Sequence, residues 1–324
     1  MPARVLLLSP WDPAAVRGWL EDHAADVVTA PDPPAQDALL ALAPEADLVI
    51  SDNRHRHRLD RPVLERLVRC RLIQVPAVGF DAIDHRVAAE LGIPVANAAG
   101  YNRDAVADWV IMAMLNLLRR GAYGDRRMRD GAWPAADLIG RELGYVTVGI
   151  VGLGNVGSAV AARLSGFGTR VLFTDVAPKG FLGARQVSLA QLLAESDVVT
   201  VHTPLDHDTR GLIGADALAR MKPGALLVSA ARGPVLDERA VIEALRSGRL
   251  AGAALDVYEV EPLASDSPLR SMENVFLSPH VGGATEQART RVQEVVRANL
   301  RRVLAGEDAF NVVNGVSRRQ VAVS

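Results

Sequence analysis

Short apolar runs and amphipathic stretches alternate along the first hundred residues. Residues 5–8 form an apolar run, 14–23 can form a helix after Pro13, and 27–29 predict a second strand. A turn at 31–34 leads to a helix at 36–42, and 47–51 read as a third strand. A helix at 64–69, a strand at 72–75 and a fifth strand at 93–97 follow. Alternation of this kind predicts a parallel sheet with helices on both faces. Residues 104–120 give the longest helix of the first half. Its apolar positions (Val106, Trp109, Val110, Met112, Ala113, Leu115, Leu117, Leu118) run nearly all round it. Such a helix is expected between two packed bodies, as a connector. Residues 121–142 are polar and are expected to be irregular. A second alternating set begins at Val146, with strands at 146–151, 170–174, 198–202, 225–229, 253–256 and 275–277. Helices are expected between them at 158–166, 189–195, 216–220 and 238–247, and six such strands suit a doubly wound nucleotide-binding sheet. A last helix, 286–305, leads back toward the first set. The expected fold is α/β: two Rossmann-like doubly wound parallel-sheet domains with an active-site cleft between them. The nucleotide-binding domain spans 104–286, and a discontinuous flavodoxin-like domain combines 1–103 with 287–324.

Composition narrows the classes. A chain of 324 residues suggests two domains at about 150 residues each. With 49% hydrophobic and 23% charged residues it belongs among ordinary globular proteins. Thirty-six basic against 38 acidic residues leave a charge of −2, which argues against a dedicated nucleic-acid binder. A single cysteine, Cys70, excludes an internal disulfide framework and a multi-cysteine metal site, and no metal is expected. The first apolar run is too short for a signal-peptide core, and the longest one, 109–115, is far short of a membrane span. The expected location is the cytoplasm, with no membrane partner.

The strand at 146–151 runs straight into Gly152-Leu153-Gly154-Asn155-Val156-Gly157, and a helix follows. Gly152 permits the tight turn, Gly154 lets a pyrophosphate approach the backbone, and Gly157 lets helix and strand pack closely. The helix N-terminus offers free N–H groups to phosphate. Asp175 closes the next strand, 18 residues after Gly157. It can accept hydrogen bonds from both ribose hydroxyls and repel a 2′-phosphate, or simply cap a turn. The first reading predicts NAD rather than NADP, a preference that nearby Lys179 could weaken. The candidate cofactor-binding set is thus Gly152, Gly154, Asn155, Val156, Gly157 and Asp175.

Three further polar residues lie where strands of the second set end: Arg232, Glu261 and His280. Strand C-termini border the ligand crevice of an open α/β sheet. An arginine can grip a substrate carboxylate and polarise a ketone. A histidine can deliver the proton, and a paired glutamate can keep it protonated near neutral pH. Together they suffice for hydride transfer to a 2-keto acid.

At these residues the chain resembles the D-isomer-specific 2-hydroxyacid dehydrogenases. The likeness rests on the glycine turn and on Val201-His202-Thr203-Pro204-Leu205, Thr209-Arg210-Gly211-Leu212-Ile213 and Met221-Lys222-Pro223-Gly224. It continues through Ala231-Arg232-Gly233, Ala254-Leu255-Asp256-Val257-Tyr258, Glu261-Pro262-Leu263 and Ser278-Pro279-His280-Val281-Gly282-Gly283-Ala284-Thr285. The resemblance implies Arg232 as substrate anchor, His280 as acid/base and Glu261 as its partner. It implies that Asp256 contacts the nicotinamide carboxamide and that Thr203, Pro204, Thr209, Ala230, Gly282 and Gly283 lie along the cofactor. Val78 and Gly79 match a loop whose amides bind the substrate carboxylate. A D-configured product and a homodimer are implied too. Ser229 stands where the family usually has Asn, Pro76-Ala77 replaces the commoner Ser or Gly, and Asp108 replaces Glu.

Residues 53–58, Asn-Arg-His-Arg-His-Arg, are either a solvated basic loop or a site where Arg54 or His55 binds a second substrate anion. Tyr101 either shapes the pocket or marks a hinge turn. Two other functions share the scaffold: an NAD-sensing, corepressor-like protein, and a dehydrogenase of the formate or phosphite type.

Overall fold

The computed structural model describes residues 2–52 and 56–317. The chain divides into two units, Met1–Tyr101 with Glu286–Ser324, and Asn102–Thr285. In the first, β1 (Arg4–Leu7), α1 (Pro13–Gly18), β2 (Asp26–Thr29), α2 (Gln36–Leu42) and β3 (Leu48–Ile50) follow one another. Then come α3 (Arg61–Arg66), β4 (Leu72–Gln74), α4 (His85–Glu90) and β5 (Val95–Ala96). The five strands are parallel, in the order β2-β1-β3-β4-β5. That is the flavodoxin-like order, with helices on both faces. Leu6, Val49 and Ile73 feed one apolar layer while Leu7, Ile50 and Leu72 feed the other. Burial on both faces is why these strands are continuous apolar runs rather than alternating ones.

The helix expected over 14–23 stops at Gly18 and gives way to a 3₁₀ turn at Glu21–His23, closed by Ala24 in the left-handed region. The helix expected from residue 64 begins at Arg61, because Asp60 and Pro62 occupy its cap and first turn. No expectation covered α4, although the Asp84 side chain caps it by accepting from the Val87 N–H at 3.1 Å.

The second unit opens with α5 (Arg103–Arg119) and α6 (Gly121–Arg129), followed by β6 (Thr147–Val151), α7 (Asn155–Ser165), β7 (Arg170–Thr174) and β8 (Ala184–Gln186). Next are α8 (Leu189–Glu195), β9 (Val198–Val201), α9 (Ala215–Arg220), β10 (Ala225–Ser229), α10 (Glu238–Arg246), β11 (Leu250–Leu255) and β12 (Val275–Leu277). The sheet is parallel, in the order β12-β11-β10-β9-β6-β7-β8. Counted from β6, this is the doubly wound dinucleotide-binding order with one extra edge strand. It has seven strands where six were expected. The missed one, β8, is a short edge strand of half-exposed residues (Ala184, Gln186) around exposed Arg185, with no apolar run to announce it.

The stretch 121–142 is not irregular throughout, since it contains α6. Its start is held by the Asn116 Oδ1, which accepts from the Ala122 N–H at 2.6 Å, and its end by an Asp125–Arg129 pair at 2.9 Å. Gly124, which reads as a helix breaker, is buried beside Leu138. Helix α5 packs with α7 over one apolar layer of its own unit's sheet. Asp108 and Met112 form a narrow exposed stripe, so the helix is not covered all round. A final helix, α11 (Glu286–Leu304), returns to the first unit, where Val292, Val296 and Leu300 join the layer of Leu7 and Ile50.

Candidate active site

The turn after β6 is built on close approaches. Gly152 has φ +91°, and a Cβ there would lie 2.9 Å from the His202 carbonyl oxygen. A Cβ on Gly157 would lie 2.1 Å from the Gly152 carbonyl oxygen, so helix and turn can meet only at glycine. Gly154 is different: no described residue lies within 4 Å of the Cβ it lacks. Gly154 and Asn155 are exposed, Val156 is half-buried, and no side chain among the described residues caps α7. The Thr203 Oγ1, just past β9, is buried with no hydrogen-bond partner among the described residues. An open glycine face, uncapped helix amides and an orphaned hydroxyl fit a dinucleotide pyrophosphate.

Asp175 follows β7 and faces this turn. Its Oδ2 accepts from the Leu153 N–H and from the Lys179 ammonium, each at 2.8 Å. Burial pushes its pKa up, but Lys179 and the Leu153 and Ala177 amides hold it net below the usual carboxylate range. It is therefore ionised, as the ribose reading requires.

Arg232, Glu261 and His280 come together in this same unit. Gly233 brings them close: a Cβ there would lie 1.7 Å from the Tyr258 carbonyl oxygen. The Arg232 segment therefore runs directly against the segment that carries Glu261. The Arg232 Nη1 donates to the Ala231 carbonyl at 2.8 Å. Glu261 uses both oxygens, Oε2 with the His280 Nδ1 at 2.8 Å and Oε1 with the Tyr258 N–H at 3.1 Å. Burial raises the Glu261 pKa, while His280, the Tyr258 amide and the Arg232 charge bring it net below the ordinary value. A tyrosine hydroxyl pins the corner, the Tyr258 Oη lying within hydrogen-bond distance of the Leu255 and Ser278 carbonyls. Burial first, then the Asp256 charge, push its pKa up to about 12.

His280 has φ +55°, a left-handed conformation that needs outside support in a non-glycine residue. Asp256 gives that support. Its backbone carbonyl accepts from the His280 N–H at 2.8 Å. Its Oδ1 accepts from the Ser278 hydroxyl and the Val281 N–H, and its Oδ2 from the Gly282 N–H. A Cβ on Gly282 would meet the Asp256 Oδ2 at 2.9 Å, and one on Gly283 the Asn102 amide nitrogen at 2.7 Å. These glycines thus have reasons within the chain as well as toward a ligand. Sequence reasoning gave Asp256 a cofactor contact and missed its hold on the histidine loop. The signal is distributed over Asp256, Ser278 and Gly282, which no single motif joins.

The Thr209 hydroxyl accepts from the Asp206 N–H at 2.8 Å and reaches the Pro204 carbonyl at 2.7 Å, knotting the loop after β9. Ala230 packs against the layer that holds α5. The Ser229 Oγ is fully buried without a partner among the described residues.

Other expected positions belong to the first unit. Val78 and Gly79 lie in the loop after β4, where the Val78 carbonyl accepts from the Asn97 side chain at 2.7 Å. Tyr101 is half-buried against the layer of Leu7, and its carbonyl accepts from Arg291 at 2.7 Å. Arg54 and His55 lie outside the described residues.

The chain is similar to known proteins over most of its length. Residues 111–282 match the NAD binding domain of the D-isomer specific 2-hydroxyacid dehydrogenases. A glyoxylate reductase of Korarchaeum cryptofilum is 38% identical over 290 residues, 87% of each chain. A D-3-phosphoglycerate dehydrogenase of Mycobacterium leprae is 38% identical over 90% of this chain, which spans only 56% of that longer protein. The solved holo structure of Rhodotorula graminis D-mandelate dehydrogenase superposes with a TM-score of 0.90 at 28% identity, covering 99% of this chain and 100% of that one.

Proposed function

We propose, on the premise that this chain belongs to the D-isomer specific 2-hydroxyacid dehydrogenase family, that it reduces a small 2-keto acid to the D-2-hydroxy acid through Arg232, Glu261 and His280. It is an NAD-dependent oxidoreductase of 2-hydroxy acids, and bound NADH supplies the hydride that C2 of the keto acid accepts. The observation that carries the proposal is the hydrogen bond from His280 Nδ1 to Glu261 Oε2, with the Arg232 charge acting on the same carboxylate. Glu261 fixes the ring so that the opposite nitrogen, Nε2, can give its proton to the ketone oxygen. Arg232 takes the substrate carboxylate in a fork of N–H donors and polarises the ketone beside it. Asp256 keeps the histidine loop in its left-handed turn. The amides of Val78 and Gly79 are assigned to the substrate carboxylate.

Glyoxylate is the first substrate to try, since the glyoxylate reductase matches over most of both chains. A homodimer is part of the proposal. Trp133, Ile139 and Tyr145 are large apolar side chains left exposed after α6, and a second copy would cover them. No helix among the described residues is long and apolar enough to cross a membrane, and a cytoplasmic location is proposed. The test supplies NADH deuterated at the transferring position with glyoxylate, hydroxypyruvate and bulkier 2-keto acids. Deuterium at C2 is expected, in glycolate from glyoxylate and in the D-hydroxy acid from each of the other keto acids. Bound NADH with no turnover on any keto acid would contradict the proposal and favour a sensing role.

A further inference from the structure

Asp175 is where the adenosine ribose would be gripped, and its carboxylate is not bare. Oδ2 is shared by the Leu153 N–H and the Lys179 ammonium at 2.8 Å each, whereas Oδ1 accepts, among the described residues, only a longer bond, 3.3 Å, from the Ala177 N–H. The Lys179 Nζ also donates to the Leu153 carbonyl at 3.1 Å, so the ammonium bridges the strand-end carboxylate and the glycine turn.

Its place is set by the backbone as well. The Lys179 N–H donates to the Gln186 Oε1 at 2.9 Å. The Gln186 Nε2 donates to the carbonyls of Asp175 at 3.3 Å and Ala177 at 3.0 Å. Gln186 is the last residue of β8, so this edge strand of the sheet holds the loop in the arc that returns Lys179 to Asp175. The lysine side chain remains 37% exposed, enough to turn toward a ligand without losing its anchor.

We propose that Lys179 is a specificity-determining residue of the cofactor site. Its ammonium offsets the Asp175 charge beside the ribose 2′ position, so the site accepts a 2′-phosphorylated dinucleotide at only a modest cost relative to the unphosphorylated one. A bare carboxylate would meet the phosphate with like charge and no donor. With Lys179 in place, the phosphate meets a flexible cationic donor able to leave Oδ2 for it. The unphosphorylated ribose keeps the Asp175 Oδ1, the oxygen that is barely engaged. This rests on the reading of the turn as a dinucleotide site, and the experiment separates the two.

The full chain, without keto acid, is titrated with NADH and with NADPH, following energy transfer from its tryptophans to the bound nucleotide. In the wild type the two dissociation constants should differ by less than about 30-fold, roughly 2 kcal/mol. Lys179→Ala should widen the ratio about tenfold further, and Lys179→Glu more. Lys179→Arg should hold it near the wild-type value, and Gln186→Ala, which frees the loop, should fall between. A ratio unmoved by Lys179→Ala and Lys179→Glu would overturn the proposal. So would a wild type that already discriminates by more than about a thousandfold. Failure of the wild type to bind NADH at all would overturn the dinucleotide reading, and this proposal with it.

Discussion

Asp47, one residue before β3, and Asp197, one residue before β9, hold the same place in the two units. Each carboxylate accepts the N–H of the first residue of the neighbouring strand, Arg4 in one unit and Thr147 in the other, both at 2.8 Å. Each backbone N–H returns a bond to that residue's carbonyl at 2.8 Å, and each carbonyl accepts from the next strand, at Arg71 or Leu226. Each also meets an arginine, Arg69 or Arg141. At the carboxyl ends the likeness stops. The first unit has Asp52, buried with Arg56 and His57 on its Oδ2, and the loop of Val78 and Gly79. The second has the glycine turn, Asp175, Arg232, Asp256 and His280. One scaffold is thus started twice in the same way, and the two units diverge where ligands bind an open α/β sheet.

That contrast can be broken most sharply at Arg232. Arg232→Ala removes a charged bidentate donor, and kcat/KM for a keto acid should fall by about 10²–10⁴. Asp47→Ala at the amino edge should leave it near wild type. Steady-state kinetics checks both. Gly233→Ala comes next. Its methyl would sit 1.7 Å from the Tyr258 carbonyl oxygen, so the Arg232 and Glu261 segments must part. Denaturant unfolding should show a loss of about 3 kcal/mol or more.

A smaller effect tests the shared edge. Asp47→Ala and Asp197→Ala should each cost about 1–3 kcal/mol by leaving a strand-start N–H unpaired. Unequal losses would mean that the two edges are not equivalent. For Asp197, burial alone would raise the pKa, and the Thr147 amide, Arg141 and Lys222 hold it net below the ordinary value. The stability it contributes is therefore present above the ordinary carboxylate range and is lost as pH falls through the folded value.

The smallest expected effect is at His202, whose burial pushes its pKa down to about 4 from 6.5. Between those values the unfolded chain takes up a proton that the folded one refuses, so stability falls with pH through that window. About 1 kcal/mol should be lost by pH 5.5. Thermal unfolding of His202→Asn across this range should show a flatter slope than the wild type.

The two doubly wound sheets were readable because buried parallel strands are apolar runs set between helices. The glycine turn was readable because each glycine has a separate steric task. The missed elements lacked those signals. β8 is held by pairing along β7 rather than by burial, and α6 begins at Gly121 and contains Gly124, which suit a helix only because Asn116 and Leu138 lie where they do. At the site, the residue types of the Glu261–His280 pair were visible, but their meeting depends on Gly233 and on the Asp256 grip on Ser278, Val281 and Gly282. Those are tertiary contacts between segments some 20–30 residues apart, and no local pattern encodes them.

The most direct measurement is single-turnover reduction of glyoxylate by the NADH-loaded protein, wild type beside His280→Ala. Matching NADH affinities confirm that the turn is intact in both. A fall of about 10²–10⁴ in the rate of the chemical step is expected when the proton donor is removed. A variant that reduces glyoxylate as fast as the wild type would contradict the assignment of His280 and, with it, the placement of the chemistry at this strand edge.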